Sequence, residues 1–420
     1  MLTLYRILAL LLSPLLIRRL HRPGPDHDGL PARRRERRGR ITPVNGRPLW
    51  VHAASVGEVN AVRGLIESLL ARYPDRSLLL TTFTVTGAQQ AERLFADRVQ
   101  HRFLPVDTAA GIRRWLDRVE PELCIIVETE IWPELYEQLG QRGLPLILVN
   151  ARLSDRTLRT SRRFGGLYRR ALGHVDLALC QTAEDARRFE RLGVEANRIE
   201  ISGNLKFDNP LPADAIQTAR ALHRRWGQRP AWVAGSTRPG EEKLILDAQR
   251  QLLENHPDAL LVLAPRHPER GAEVINEIEA AGLAWQPLDE DPADSTQVVL
   301  VNRLGLLTAC YAAARVCFVG GSLVPVGGHN LLEPAAFSKP VLAGPHLNQQ
   351  QAAAAALHQA QALLEVTDSD SLATAVAGLW SEPERALALG RAALGVVESG
   401  RGALRVTLAR IEQKLSATAG

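Results

Sequence analysis

Three acidic residues in two short motifs have the types and spacing for proton chemistry. Glu58 ends His52-Ala-Ala-Ser-Val-Gly-Glu58, and Glu128 and Glu130 open Glu128-Thr-Glu-Ile-Trp-Pro133. Carboxylates gathered in a cleft can have their pKa values pushed apart, one accepting a proton while another orders cations or hydroxyls. Glu58 could equally stabilise a helix start, and Glu128 and Glu130 could be a structural ion pair. A second group of residues suits an anion. Gly320-Gly-Ser-Leu-Val-Pro-Val-Gly-Gly-His-Asn-Leu-Leu-Glu-Pro334 contains two Gly pairs, Gly320–Gly321 and Gly327–Gly328, where backbone can approach a ligand closely. The helix expected to follow would present unpaired N–H groups to a phosphate. Ser322, His329, Asn330 and Glu333 add polar groups, with Glu333 placed to accept from sugar hydroxyls. A donor-nucleotide site is favoured over a tight structural turn. Gly235-Ser-Thr-Arg-Pro-Gly-Glu-Glu242 repeats the strand-to-helix anion geometry with Ser236. In Pro265-Arg-His-Pro268, Arg266 could hold a phosphate or carboxylate by two hydrogen bonds, and His267 could add a donor. Lys206, beside Asn204, could reach into a cleft. Arg152, in Asn150-Ala-Arg-Leu-Ser154, could bind an acidic substrate or simply join two domains.

The elements that must position these residues are short apolar runs, each lying just ahead of a motif. Leu49–Ala53, Leu78–Thr82, Leu123–Val127, Leu146–Val149 and Leu177–Cys180 read as strands, alternating with helical stretches such as Val59–Ala71, Ala109–Val119 and Ala183–Leu192. The turn-rich segment Gly203–Pro212 interrupts this rhythm, which restarts with Ala231–Ala234, Leu260–Ala264, Val298–Val301, Val316–Val319 and Val341–Ala343. The pattern predicts an α/β chain of two doubly wound domains, residues 48–207 and 208–420, whose ligands bind beyond the carboxyl ends of the strands. Helices after about Glu382 could pack back on either domain. No Gly-x-Gly-x-x-Gly, Walker loop or His-Glu-x-x-His is present, and Asp289-Glu-Asp291 and Asp368-Ser-Asp370 read as solvated loops. Neither a metal nor a cofactor is expected.

The 420 residues carry a net charge of +5, concentrated in arginines 18, 19, 22, 33, 34, 35, 37, 38 and 40. Aromatics do not interleave with them after Tyr5, which speaks against nucleic acid. Ahead of them, Ile7–Ile17 contains Pro14 and is short of the roughly 20 apolar residues of a spanning helix. An apolar segment beside a polybasic patch does provide two signals for attachment to anionic lipid. Residues 1–22 therefore read as a membrane anchor, 23–47 as a basic linker, and the remainder as facing the cytoplasm. Cys124, Cys180, Cys310 and Cys317 are scattered singly, as buried thiols in a reducing compartment would be.

Taken in order, His52–Glu58, Glu128–Pro133, Asn150–Ser154, Gly203–Asp208, Ser236–Glu242, Pro265–Pro268 and Gly320–Pro334 resemble the 3-deoxy-D-manno-octulosonic acid (Kdo) transferases of lipopolysaccharide synthesis. The resemblance implies a GT-B glycosyltransferase: two Rossmann-like domains with an interdomain cleft, acting at the cytoplasmic face of the inner membrane. Its donor would be CMP-Kdo and its acceptor the phosphorylated lipid A precursor, with anionic inner-membrane lipid as a third partner. By that resemblance Glu58 looks like the proton acceptor, and Glu128 and Lys206 look like transition-state stabilisers. Ser55, Gly57, Glu130 and Arg152 fall on the acceptor side. Ser236, Arg266, His267, Gly305, the Gly320–Ser322 and Gly327–Asn330 segments and Glu333 fall on the donor side. Arg238 stands where the family usually has His, and Leu304-Gly-Leu306 where a Gly-Glu pair is common. Another GT-B enzyme, such as a lipid A disaccharide synthase-like transferase or a nucleotide-sugar epimerase, is the second reading. A membrane-surface binding protein on a degenerate transferase scaffold is the third.

Overall fold

The computed structural model describes residues 1–20, 30–153, 157–158, 165–209, 211, 214–303 and 305–418. Arg22, residues 23–29 of the basic stretch, Ser154, Pro212 and Leu304 lie outside them. The chain forms two compact units: residues 1–209 with 400–420, and residues 210–399.

In unit 1 the strands are β1 (Leu49–His52), β2 (Leu78–Thr82), β3 (Gln100–Phe103), β4 (Leu123–Val127), β5 (Leu146–Ala151), β6 (Leu177–Cys180) and β7 (Ile199–Ile201). They make one parallel sheet in the order β3-β2-β1-β4-β5-β6-β7. β1, β2, β4 and β5 are buried along their whole length, because helices cover both faces. Alternate side chains feed two cores. Trp50, Cys124, Ile126 and Leu148 pack with Trp115 on one face, while Val51, Ile125, Val127 and Ile147 pack with Leu65 and Phe95 on the other. The helix expected over Val59–Ala71 is two helices, Val56–Ala61 and Arg63–Arg72, broken at Val62. The last helix, Ala403–Thr418, belongs to this unit and buries Leu408, Ile411 and Leu415 in its core.

The N-terminal helix Leu2–Leu20 is held at its start by polar contacts. The Tyr5 hydroxyl donates to Asp107 at 2.6 Å, and Arg6 Nε donates to Glu134 at 2.6 Å. Ile17 is buried, whereas Leu4, Ile7, Leu8, Leu11, Leu12 and Leu15 face solvent. No helix among the described residues is long and apolar enough to cross a membrane. Part of the segment expected as a basic linker is instead built into the fold. Arg37 is buried, donates to the carbonyls of Leu104 and Phe83, and stacks on the Phe83 and Phe103 rings. The hydrogen bonds and ring contacts compensate a charge that would otherwise be expelled to water.

Unit 2 has β8 (Ala231–Thr237), β9 (Leu260–Pro265), β10 (Trp285–Pro287), β11 (Val298–Leu300), β12 (Val316–Val319), β13 (Val341–Ala343) and β14 (Leu363–Glu365). All pairs are again parallel, in the order β10-β11-β9-β8-β12-β13-β14. Strand order reverses between β1 and β4 in unit 1, and between β8 and β12 in unit 2. At such a switch point the loops leave in opposite directions and open a crevice beyond the carboxyl ends. The loops after these four strands begin at Ala53, Glu128, Arg238 and Gly320.

Candidate active site

In unit 1 the loop after β1 runs into helix Val56–Ala61, with Glu58 in its first turn. The Glu58 carboxylate accepts from the Ala54 N–H at 2.7 Å and from the Ser55 hydroxyl at 3.0 Å. Burial pushes its pKa up to about 8, and the Glu130 and Glu128 carboxylates add to that rise. Gly57 is exposed beside it. Glu128 follows β4 with a left-handed backbone (φ 59°), unusual for a residue with a Cβ. Its oxygens lie 4.0 Å from Lys206 Nζ and 3.8 Å from Arg152 Nε. Glu130 lies 3.9 Å from Nε2 of the fully buried His52. Glu58, Glu128, Glu130, Arg152 and Lys206 thus gather at one switch point, three carboxylates against two cations.

Three residues outside the expected catalytic set hold Lys206 in place, the first being Asn204, which accepts the Lys206 N–H at 3.0 Å. Asn150, buried with φ 53°, accepts the Leu205 N–H at 3.0 Å. Asp208 accepts from the N–H groups of Gly402 and Leu404 at 2.8 and 3.0 Å, tying the turn Leu205–Asp208 to the last helix. Asn150 is therefore a positioning residue, and neither alternative read from the sequence described it.

In unit 2 the Gly-rich motif differs from the expected anion loop. The N–H groups of Gly321, Ser322 and Leu323 all donate to the buried Glu241 carboxylate, at 2.6, 2.9 and 2.8 Å, and the Arg238 N–H joins them at 2.9 Å. The Ser322 hydroxyl donates to the Val319 carbonyl and accepts from the Gly344 N–H. An internal carboxylate thus fills the nest that a phosphate was expected to fill. Gly320 is required for close packing, since a Cβ there would sit 2.8 Å from the Ser236 carbonyl oxygen. Gly327 and Gly328 close the turn through the Gln349 N–H and the Gly321 carbonyl. The helix expected to follow the motif is a single turn, Leu332–Ala335, that begins within it.

What remains for an anion is side-chain chemistry. The Ser236 hydroxyl and the half-buried Arg266 guanidinium make no hydrogen bond or ion pair among the described residues. Ser236 is lifted from β8 by a bulge, with φ 58°. Arg238 Nε donates to His329 Nε2 at 3.1 Å, and its Nη1 meets His267 Nε2 at 2.8 Å. Burial, together with Arg238 and Arg266, lowers the His329 pKa to about 3, so the ring is neutral and its proton sits on Nδ1. Glu333 accepts from Asn330 Nδ2 at 3.2 Å, and burial raises its pKa against the pull of Arg266. Gly305 is exposed in the loop after β11, and among the described residues nothing links it to this group. No cluster of metal-ligating side chains occurs among the described residues.

Two Rossmann-like sheets, each with polar groups collected at its switch point, define the GT-B fold. The fold is shared with solved structures such as the UDP-GlcNAc 2-epimerase of Neisseria meningitidis bound to UDP-GlcNAc. That match has a TM-score of 0.60 at 12% identity and covers 88% of this chain and all of that one. Residues 32–209 match the family model described as 3-deoxy-D-manno-octulosonic-acid transferase (kdotransferase). Similar relatives include the 3-deoxy-D-manno-octulosonic acid transferase of Haemophilus influenzae, 37% identical over 85% of this chain and 84% of that protein. The Bordetella pertussis transferase of the same name is 36% identical over 88% and 87%. The chain belongs to the 3-deoxy-D-manno-octulosonic acid transferase family, and it is a glycosyltransferase.

Proposed function

We propose that this protein moves Kdo from CMP-Kdo to a hydroxyl of the phosphorylated lipid A precursor, with inversion at the anomeric carbon. The acceptor oxygen bonds to that carbon, the carbon–oxygen bond to CMP breaks, and the hydroxyl proton passes to Glu58. CMP leaves with the bonding electron pair. The observation that carries this reading is the Glu58 carboxylate at the β1–β4 switch point, raised to about 8 by burial and by Glu130 and Glu128. A base with a pKa near the working pH combines useful ionisation with proton affinity. Glu128 holds Lys206 in position, and the lysine counters charge on the Kdo carboxylate and the departing phosphate. Ser236, Arg238 and Arg266 supply the phosphate contacts, His267 and His329 orient Arg238, and Asn330 and Glu333 meet the ribose hydroxyls. Ser55, Gly57, Glu130 and Arg152 lie on the acceptor side.

The exposed apolar face of helix Leu2–Leu20, followed in sequence by the exposed arginines Arg34, Arg35, Arg38 and Arg40, supports attachment to anionic lipid at the cytoplasmic surface of the inner membrane. Product mass spectrometry with CMP-Kdo and lipid A precursor tests the reading directly. One or more added Kdo residues are expected, and CMP should raise the melting temperature more than UDP does. An unmodified lipid, or a preference for UDP, would refute the donor and acceptor assignment.

A further inference from the structure

At the amino ends of β12 and β13, away from the donor-side groups, unit 2 opens into a groove of about 870 Å3. One wall is the helix Ala215–Trp226. It buries Ala219, Leu222 and Trp226 against the core and leaves Ile216, Arg220 and Arg224 along the groove. The other wall carries Leu387. Ile216 and Leu387 are 52% and 61% exposed, unusual for large aliphatic side chains on two lips of one groove. The exposed Arg315 and the half-buried Lys339 line it beside Ala313, Ala314 and Pro340. No carboxylate lines the groove, and among the described residues Arg220, Arg224, Arg315 and Lys339 have no ion pair. Burial lowers the Lys339 pKa, a penalty that an anion in the groove would offset.

We propose that this groove is a second lipid contact of the chain, seating an anionic glycerophospholipid of the bilayer with its phosphate on Arg220, Arg224 and Arg315 and its acyl chain along Ile216 and Leu387. Uncompensated cations beside exposed aliphatic side chains match a charged head joined to an apolar tail. The site is independent of the donor assignment, because none of these residues belongs to the donor or acceptor groups.

The four cysteines are buried, so Leu387→Cys places one accessible thiol on the lip for an environment-sensitive fluorophore. The full-length labelled protein is mixed with vesicles of phosphatidylglycerol in phosphatidylcholine, or of phosphatidylcholine alone. A blue shift of emission is expected only with phosphatidylglycerol. In Arg220→Gln/Arg224→Gln the shift should need roughly thirty-fold more anionic lipid, given the membrane attraction of two arginines. Arg315→Gln should weaken it separately, guarding against misfolding of the double variant, and the melting-temperature rise with CMP should be unchanged in both. An equal shift on phosphatidylcholine, no shift, or a shift that ignores the arginine changes would overturn the proposal. So would a response to protein concentration without vesicles, which would mark a contact between copies, or a response only to an acidic amphipathic peptide.

Discussion

The two switch points occupy the same topological position in their sheets, yet they collect opposite charge. At β1 and β4 three carboxylates stand together, and burial with the charges of Glu130 and Glu128 pushes Glu58 up to about 8. At β8 and β12 the buried Glu241 is enclosed by four backbone N–H groups, and the equally buried Glu242 accepts from Thr237 and Arg270. The field there is left to Arg238 and Arg266. The same strand–loop–helix unit can therefore hold a proton acceptor or an anion, according to where its carboxylates find hydrogen bonds. The Gly-rich motif shows this most clearly: its N–H groups shape the loop through Glu241, and side chains are left to meet the ligand.

Substitutions can break this contrast, the largest effect coming from unit 1. Glu58→Gln should lower kcat by about 10²–10⁴-fold, the usual range for a positioned general base, with CMP affinity unchanged by calorimetry. Arg266→Ala should weaken CMP binding by about 10–100-fold, as expected for hydrogen bonds to a charged group, with a smaller change in kcat. If Arg266→Ala spared CMP binding and struck kcat instead, the assignment of basic chemistry to the donor would fail. Glu241→Gln turns an amide NH2 toward N–H donors and should cost about 1–3 kcal/mol, read as a lower melting temperature with a raised KM for the donor.

A further effect is on stability and has a defined sign. Glu58 is raised from 4.5 to about 8, so the folded state holds the extra proton between those values. Its contribution is fully present below pH 4.5 and is lost as pH rises through 8. Relative to wild type, Glu58→Gln should therefore melt higher above pH 8 and show no such gain near pH 4.5. Thermal scans across that range check it.

Most of the sheet architecture was legible because central parallel strands are continuous apolar runs. Leu78–Thr82, Leu123–Val127, Leu177–Cys180, Val316–Val319 and Val341–Ala343 coincide with observed strands. The edge strands β3, β7, β10 and β14 were not, since Gln100-His-Arg-Phe103 and Ile199-Glu-Ile201 carry polar residues at half-exposed positions. The meeting of Glu58, Glu128 and Lys206 could be anticipated because each motif follows a strand or a turn former. Glu241 could not, because its partners arrive from a loop distant in sequence and pair through backbone N–H groups that any residue carries. Arg37 escaped for a related reason. Nothing in a run of arginines marks the one that will be buried between two phenylalanines.

The most direct measurement is kcat/KM against pH, which reports the ionisation of the free enzyme's base. The rate should rise with pH through an apparent pKa near 8 as Glu58 ionises. Glu130→Gln removes the nearby charge that raises Glu58 most, so it should move that limb to lower pH. A profile that is flat from pH 6 to 9, or a limb that Glu130→Gln leaves in place, would contradict Glu58 as the proton acceptor tuned by its carboxylate neighbours.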